Sequence, residues 1–295
     1  FEARFLKKAR DPVTTGWADI DDISKGGLGK GELGVVVAPT GAGKSMVLVH
    51  LGAQALKAGK NVLHYTLELG DTIVAGRYDA AITGVELRNL AVFKEKIYDE
   101  IKEIPGKLIV KEYPTRSANI QTIKNHVEKL KRRDFTPDMI IVDYGDLIRP
   151  ENGGKDEKRH QLETIYEELR GLAQICECPL WTASQTNRSG LNAEVITMES
   201  ISEAFNKCFV ADFIFTVSRT VEDKNNNTGR IFIAKNRNGP DGLVYPLFMD
   251  TSSVCIKVLS QTGETVNDII QKSSKDRLEA LKEKYKVFKK EGGKG

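Results

Sequence analysis

Short apolar runs without polar alternation punctuate the first two thirds of the chain. They are 34–38 (GVVVA), 61–67 (NVLHYTL), 108–110 (LIV), 139–142 (MIIV) and 180–183 (LWTA). A strand with one wet face alternates apolar and polar residues, whereas an unbroken apolar run is buried on both faces. These runs therefore predict a parallel sheet covered by helices on each side. Between them, residues 44–57, 72–83, 86–103, 120–133 and 157–176 carry helical periodicity. Strand followed by helix, repeated, predicts an α/β fold of three layers. Beyond residue 205 the pattern changes to strand-like segments at 213–217, 230–234, 244–248 and 254–258 with short connections. The stretches Asn225-Asn226-Asn227-Thr228-Gly229 and Gly239-Pro240-Asp241-Gly242 read as hairpin-type turns, so the sheet is expected to end in antiparallel strands. Residues 264–289 read as a charged helix, followed by a Gly-rich end that should fray. No repeat and no Pro/Ser-rich linker interrupts 12–260, which is expected to be one catalytic domain, with 1–11 and 261–295 as extensions.

Composition narrows this only in part. With 40% apolar and 29% charged residues, the chain belongs among folded proteins and not among mostly disordered ones. Its 295 residues suffice for a full core without disulfides or metals. It has no apolar run of about 18 residues, the length a membrane span needs. The opening FEARFLKKAR lacks the apolar core of a secretory signal, and a chain that starts at Phe1 reads as part of a longer one. The expected location is the cytoplasm, or a host's cytoplasm for a viral protein. Cys176, Cys178, Cys208 and Cys255 include one C-x-C and no second pair, so they are expected to be reduced, buried thiols. Lys plus Arg exceed Asp plus Glu by 44 to 41, a net +3 that neither demands nor excludes a nucleic-acid partner.

The strongest chemical signal is Ala38-Pro39-Thr40-Gly41-Ala42-Gly43-Lys44-Ser45, set between the strand at 34–38 and the helix at 44–57. Small residues let the backbone wrap a phosphate chain with its N–H groups turned inward, and the helix start adds partial positive charge. In this loop Lys44 is the candidate contact to the β- and γ-phosphates and Ser45 the candidate Mg²⁺ ligand. Ala38 stands where glycine is usual. The run 139–142 ends in Asp143, an acid at the carboxyl end of a strand, which fits a group that serves the metal's ligand sphere. Hydrolysis also needs a group to orient and deprotonate water. Glu68, just past the strand at 61–67, is the first candidate and Asp146 the second.

Several spaced motifs then agree. Thr15-Gly16-Trp17 with Ile20-Asp21, Gly26-Gly27-Leu28 and Gly31-Glu32-Leu33 resembles the entry to the RecA-like core of DnaB-type replicative helicases. Thr66-Leu67-Glu68-Leu69, Asp143-Tyr144, Ser184-Gln185-Thr186-Asn187-Arg188 and Lys235-Asn236-Arg237-Asn238-Gly239-Pro240 resemble four further motifs of that family in the family's order. The resemblance spans roughly 12–250. The segments 108–114, 140–144 and 180–183 look most like the branch found in T4-like phages.

The resemblance implies a RecA-like P-loop NTPase core that uses ATP and Mg²⁺. Glu68 is then the catalytic base, and Lys44, Ser45 and Asp143 serve nucleotide and metal. Gln185 senses the γ-phosphate, and Lys235 and Arg237 reach the neighbouring subunit's nucleotide. It further implies a homohexameric ring that moves 5′ to 3′ on single-stranded DNA, with primase and a helicase loader as partners. Two cations at i and i+2 on a strand share a face, in keeping with a paired finger.

One stretch departs from the pattern. The family's DNA loop usually reads Asp-Leu-Arg-Glu-Ser-Gly, where this chain has Ser200-Ile201-Ser202-Glu203-Ala204-Phe205. Glu203 is kept, but Ser202 and Phe205 replace the Arg and Gly, which leaves Asn206, Lys207 and the stretch 188–197 with Arg188 as candidate DNA contacts. The polar stretch 151–160 adds Lys155, Lys158 and Arg159, and reads equally well as a solvated loop. A strand-exchange recombinase and a non-motor ATP switch are the rival readings. The ordered SQTNR and KNRNGPDG motifs favour the helicase.

Overall fold

The computed structural model describes residues 10–150, 158–186, 195–197 and 208–259, with only the backbone of residues 158 and 159. The apolar runs become strands β1 (Leu33–Ala38), β2 (Val62–Thr66), β3 (Leu108–Glu112), β4 (Met139–Asp143) and β5 (Leu180–Gln185). The C-terminal part supplies β6 (Phe213–Ser218), β7 (Thr228–Asn236), β8 (Val244–Asp250) and β9 (Cys255–Val258). The helices are α1 (Ala18–Ile23), α2 (Lys44–Lys57), α3 (Asp71–Thr83), α4 (Lys94–Lys102), α5 (Ile120–Lys131), α6 (Lys158–Cys176) and α7 (Val221–Asn225).

The strands form a nine-stranded sheet in the order β3-β2-β4-β5-β1-β6-β7-β8-β9. From β3 to β6 all neighbours are parallel, and β7, β8 and β9 follow antiparallel. This is the mostly parallel, helix-flanked sheet that the sequence pattern predicts. The lack of polar alternation in β1 and β4 now has its cause. Val36 and Ala38 of β1, with Met139 and Ile141 of β4, pack into the core that holds Val47, Leu48, Leu51, Val74 and Tyr78 of α2 and α3. Their neighbours Leu33, Val35, Val37, Ile140 and Val142 pack into the opposite core with Ile123, Val127, Leu169 and Leu172 of α5 and α6.

Close packing between β1 and β5 makes one position intolerant. Gly34 pairs with Trp181 across the two strands, and a Cβ placed on Gly34 would lie 2.4 Å from the indole. Overpacking of this kind costs about 1–3 kcal/mol. Gly34→Ala is therefore expected to lower the urea midpoint and the melting temperature, and an unchanged denaturation curve would contradict this packing.

Two local expectations are corrected. Residues 86–103 do not form one helix. A short 3₁₀ turn at Leu87–Asn89 precedes α4, and Leu87 N donates to Ser252 O at 2.8 Å while Leu87 and Leu90 pack on the core. Leu87 and Leu90, three residues apart, share a face in a 3₁₀ turn much as they would in an α-helix, so the apolar spacing does not mark the break. The stretch 225–229 is not a simple hairpin turn either. Thr220 and Asp223 form a reciprocal capping box that starts α7. Asp223 then accepts from Thr228 Oγ1 at 2.9 Å and Arg230 Nη1 at 3.1 Å, so β7 begins at Thr228 and is longer than the apolar run alone suggests.

Among the described residues no helix is long and apolar enough to cross a membrane. The four cysteines form no disulfide among the described residues, and Cys176, Cys178 and Cys208 are buried. The charged helix expected at 264–289 lies outside the described residues.

Candidate nucleotide site

β1, β4 and β5 all end on one edge of the sheet, and the chain leaving each end builds a cavity of about 280 Å³. Its walls include Thr40, Gly41, Gly43, Lys44, Ser45, Glu68, Arg77, Tyr144, Gln185 and Thr251. Gly41 (φ 73°) and Gly43 (φ 102°) hold left-handed conformations that let the loop turn from β1 into α2. Gly43 caps α2 with no side chain, which leaves the helix start available to an anion. A Cβ on Gly43 would also meet Met249 Sδ at 2.8 Å, so β8 supports the loop from below. Lys44 Nζ donates to Ala38 O and Pro39 O, each at 3.2 Å, which places the ammonium inside the loop it is expected to serve. Ala38 itself is fully buried at the end of β1.

Glu68 is exposed and sits on a braced turn. Thr66 Oγ1 donates to Leu69 O at 2.7 Å and accepts from Leu69 N, while Leu67 N donates to Asp143 O at 2.8 Å. Thr115 Oγ1 closes the brace by donating to Leu67 O at 2.8 Å.

Asp143 is the last residue of β4 and is 1% exposed, and neither of its carboxylate oxygens has a hydrogen-bond partner among the described residues. Burial pushes its pKa up to about 6, and the charge of Glu68 adds to the rise. The Ser45 hydroxyl, Arg77 and Lys44 oppose it, although Ser45 stands beside the carboxylate without a well-formed hydrogen bond. An orphaned buried carboxylate facing a hydroxyl is a donor set suited to a hard cation such as Mg²⁺.

Gln185 ends β5 and bridges into the loop. Its Nε2 donates to Thr40 Oγ1 at 2.7 Å, and its backbone N donates to Asp146 Oδ2 at 3.2 Å. Asp146 also accepts from Tyr166 Oη at 2.8 Å. It therefore holds the scaffold and does not line the cavity, which argues against it as the water-activating base.

Lys235 and Arg237 are not at this cavity. β7 runs antiparallel to β6, and Lys235 pairs with Ile214 near the start of β6. The pair thus lies at the edge of the sheet opposite the phosphate loop. β7 ends at Asn236, so Arg237 stands one residue past the strand. Of the candidate DNA contacts, Lys155, Arg188, Glu203 and Lys207 lie outside the described residues. Lys158 and Arg159 occupy the first turn of α6, and their side chains also lie outside them.

The model of the DnaB-like helicase C-terminal domain family matches residues 12–254, most of the chain. The chain belongs to that family. It is 34% identical over 236 residues to the DnaB-like replicative helicase of Enterobacteria phage T4, covering 75% of this chain and 50% of that protein. It is 25% identical over 249 residues to the replicative DNA helicase DnaB of Geobacillus stearothermophilus, covering 80% of this chain and 54% of that protein. This DnaB-like chain therefore spans about half the length of these curated relatives. Its fold is shared with a separately solved ATPase domain, at a TM-score of 0.72 and 17% identity over 88% of this chain and 95% of that one. A DnaB-like replicative helicase solved for its interactions with primase has the same TM-score at 16% identity, over 88% of this chain and 64% of that one.

The DnaB-like site also contains residues that the sequence motifs passed over. Arg77 reaches the cavity from α3, and its guanidinium faces the charges of Asp143 and Glu68, while burial lowers its pKa. The signal was a lone cation in the mostly small and apolar stretch 73–82, next to Tyr78 and two residues before Asp79. Thr251, just past β8, had no such signal, since only the pairing of the C-terminal strands brings it to the loop.

Proposed function

We propose that this chain is the ATP-hydrolysing motor domain of a replicative DNA helicase, which works as a homohexameric ring on single-stranded DNA and unwinds duplex DNA. The supporting observation is the division of groups across the sheet. Lys44, Ser45, Glu68, Asp143 and Gln185 gather at one edge, while Lys235 and Arg237 stand at the other. The six-residue β1 separates the two edges by roughly 17 Å at about 3.3 Å per residue. Arg237 therefore cannot reach its own subunit's nucleotide, and a neighbour in a ring can bring it to another's.

In this reading residues 12–260 form the catalytic unit. Lys44 and the N–H groups of the loop bind the phosphates of ATP. Ser45 and Asp143 would hold Mg²⁺, which when bound neutralises charge on the phosphate oxygens. Glu68 orients the attacking water and takes its proton. Gln185, tied to Thr40 on one side and to the strand-end scaffold on the other, reports the state of the γ-phosphate to the segment that follows it. Arg237 of the adjacent subunit stabilises charge on the transferred phosphoryl group, so turnover depends on assembly. Lys155, Lys158, Arg159, Arg188, Glu203 and Lys207 are the candidate DNA contacts. A primase and a helicase loader are the expected partners in a cytoplasmic, or host-cytoplasmic, setting.

The test is ATPase activity measured against protein concentration, with and without single-stranded DNA. Specific activity should rise with concentration and rise again with DNA. A rate per chain that is flat in concentration and indifferent to DNA would favour the non-motor switch instead.

A further inference from the structure

Asp212, immediately before β6, is 4% exposed and is the most heavily used carboxylate near the Lys235/Arg237 pair. It accepts from Leu33 N at 3.0 Å, from Arg170 Nε at 3.0 Å and Nη2 at 3.1 Å, and from Arg237 Nη1 at 3.0 Å. The backbone repeats the connection, because Asp212 N donates to Leu33 O at 2.8 Å and Arg237 N donates to Asp212 O at 3.0 Å. Arg237 is thus held at its main chain and at its guanidinium by one residue. Arg170 reaches the carboxylate through two nitrogens, a fork that fixes the carboxylate plane. Among the described residues Arg237 commits a single side-chain nitrogen, and its side chain remains 44% exposed. Lys235 is secured nearby, with Nζ donating to Phe209 O and lying 4.3 Å from the centre of the Phe209 ring.

An ion pair this exposed on one side contributes little to stability. The fold's own need at Asp212 is met by Leu33 N and the bidentate Arg170. What the arrangement does for Arg237 is to reduce the number of positions its long side chain can take, while most of its donor fork stays uncommitted among the described residues. We infer that Asp212, clamped by Arg170, is the positioning residue that aims Arg237 at the neighbouring subunit's nucleotide. This rests on the reading of Arg237 as a group supplied in trans. Because Asp212 is bound to Leu33 at the start of β1, and β1 ends in the phosphate loop, each subunit mounts two things on one short strand. One end carries the nucleotide it binds, and the other steadies the finger it offers.

The experiment uses the full-length protein with ATP and single-stranded DNA. Asp212→Asn keeps the shape and an acceptor for Leu33 N but removes the charge. It is expected to lower kcat at least about tenfold, the order expected when a catalytic group is misplaced by a fraction of an ångström. KM for ATP should stay within about twofold, since ground-state binding is untouched. Arg170→Gln should move kcat in the same direction and stands in if Asp212→Asn is unstable. Mixed rings assign the defect to a side of the interface. Asp212→Asn mixed with Lys44→Ala should regain activity, and Asp212→Asn mixed with Arg237→Ala should not, because both then lack a competent finger. Activity regained in that second mixture, or wild-type kcat in both Asp212→Asn and Arg170→Gln, overturns the inference. If Lys44→Ala mixed with Arg237→Ala regains nothing, the trans reading itself fails, whatever Asp212→Asn does.

Discussion

Arg237→Ala is expected to lower ATP turnover by about 10³-fold or more, the range found for cations that stabilise charge on a transferred phosphoryl group. Nucleotide affinity of the isolated chain should be unchanged, because Arg237 stands at the sheet edge opposite the phosphate loop. These two readings, turnover by phosphate release and affinity by equilibrium titration, separate a finger from a structural residue. A residue that merely braced the fold would lower both, along with the melting temperature. The exposed half of the Arg237 pair with Asp212 argues that stability will move little. Lys235→Ala is expected to act in the same direction with a smaller loss, since an ammonium lacks the planar fork that matches phosphate oxygens.

Glu68→Gln is expected to reduce hydrolysis by about 10²–10⁴-fold, the usual contribution of a general base. The amide keeps the size of the side chain, and the turn that carries it is held by Thr66, Thr115 and Asp143 backbone contacts that do not involve the carboxylate. Binding of ATP should therefore survive, and the variant should trap nucleotide. Single-turnover hydrolysis beside an ATP-binding titration measures both quantities. Retention of more than about a tenth of the wild-type rate would mean that another group activates water. Asp146 is poorly placed for that task, as its carboxylate accepts from Gln185 N and Tyr166 Oη.

Much of this architecture could be read from the chain alone, for identifiable reasons. The strands β1 and β4 announce themselves because burial on both faces removes every polar position from 35–38 and 139–142. The glycine-rich loop at 38–45 is legible because left-handed turns at Gly41 and Gly43 need glycine. Asp143, Glu68 and Gln185 were legible as residues at or just past strand ends, and parallel strands deliver their ends to one edge. The structure adds that Glu68 and Gln185 line one cavity with Ser45 and Tyr144, and that Asp143 lies buried between those two neighbours.

What escaped the sequence depended on contacts between distant segments. The stretch 86–103 is tied at Leu87 N to Ser252 O, far away in the chain, a contact that no local periodicity encodes. The helix α7 replaced an expected turn because Asp223 serves the cap, Thr228 and Arg230 at once. Arg77 was hidden by its helix, where its spacing from Glu68 has no meaning until α3 folds back over β2. Asp212 was hidden as well. In the sequence it is an ordinary acid before a strand, and its hold on Arg170 and Arg237 exists only after β6, β7 and α6 come together.

The central claim is that hydrolysis occurs between subunits, with the phosphate loop of one chain and Arg237 of the next. The most direct measurement mixes Lys44→Ala and Arg237→Ala chains in equal amounts and follows ATP hydrolysis on single-stranded DNA. Each alone should be inactive. The mixture should regain a measurable fraction of wild-type turnover, because some interfaces then pair an intact loop with an intact finger. A mixture as inactive as its components, in rings shown to contain both chains, would contradict the account.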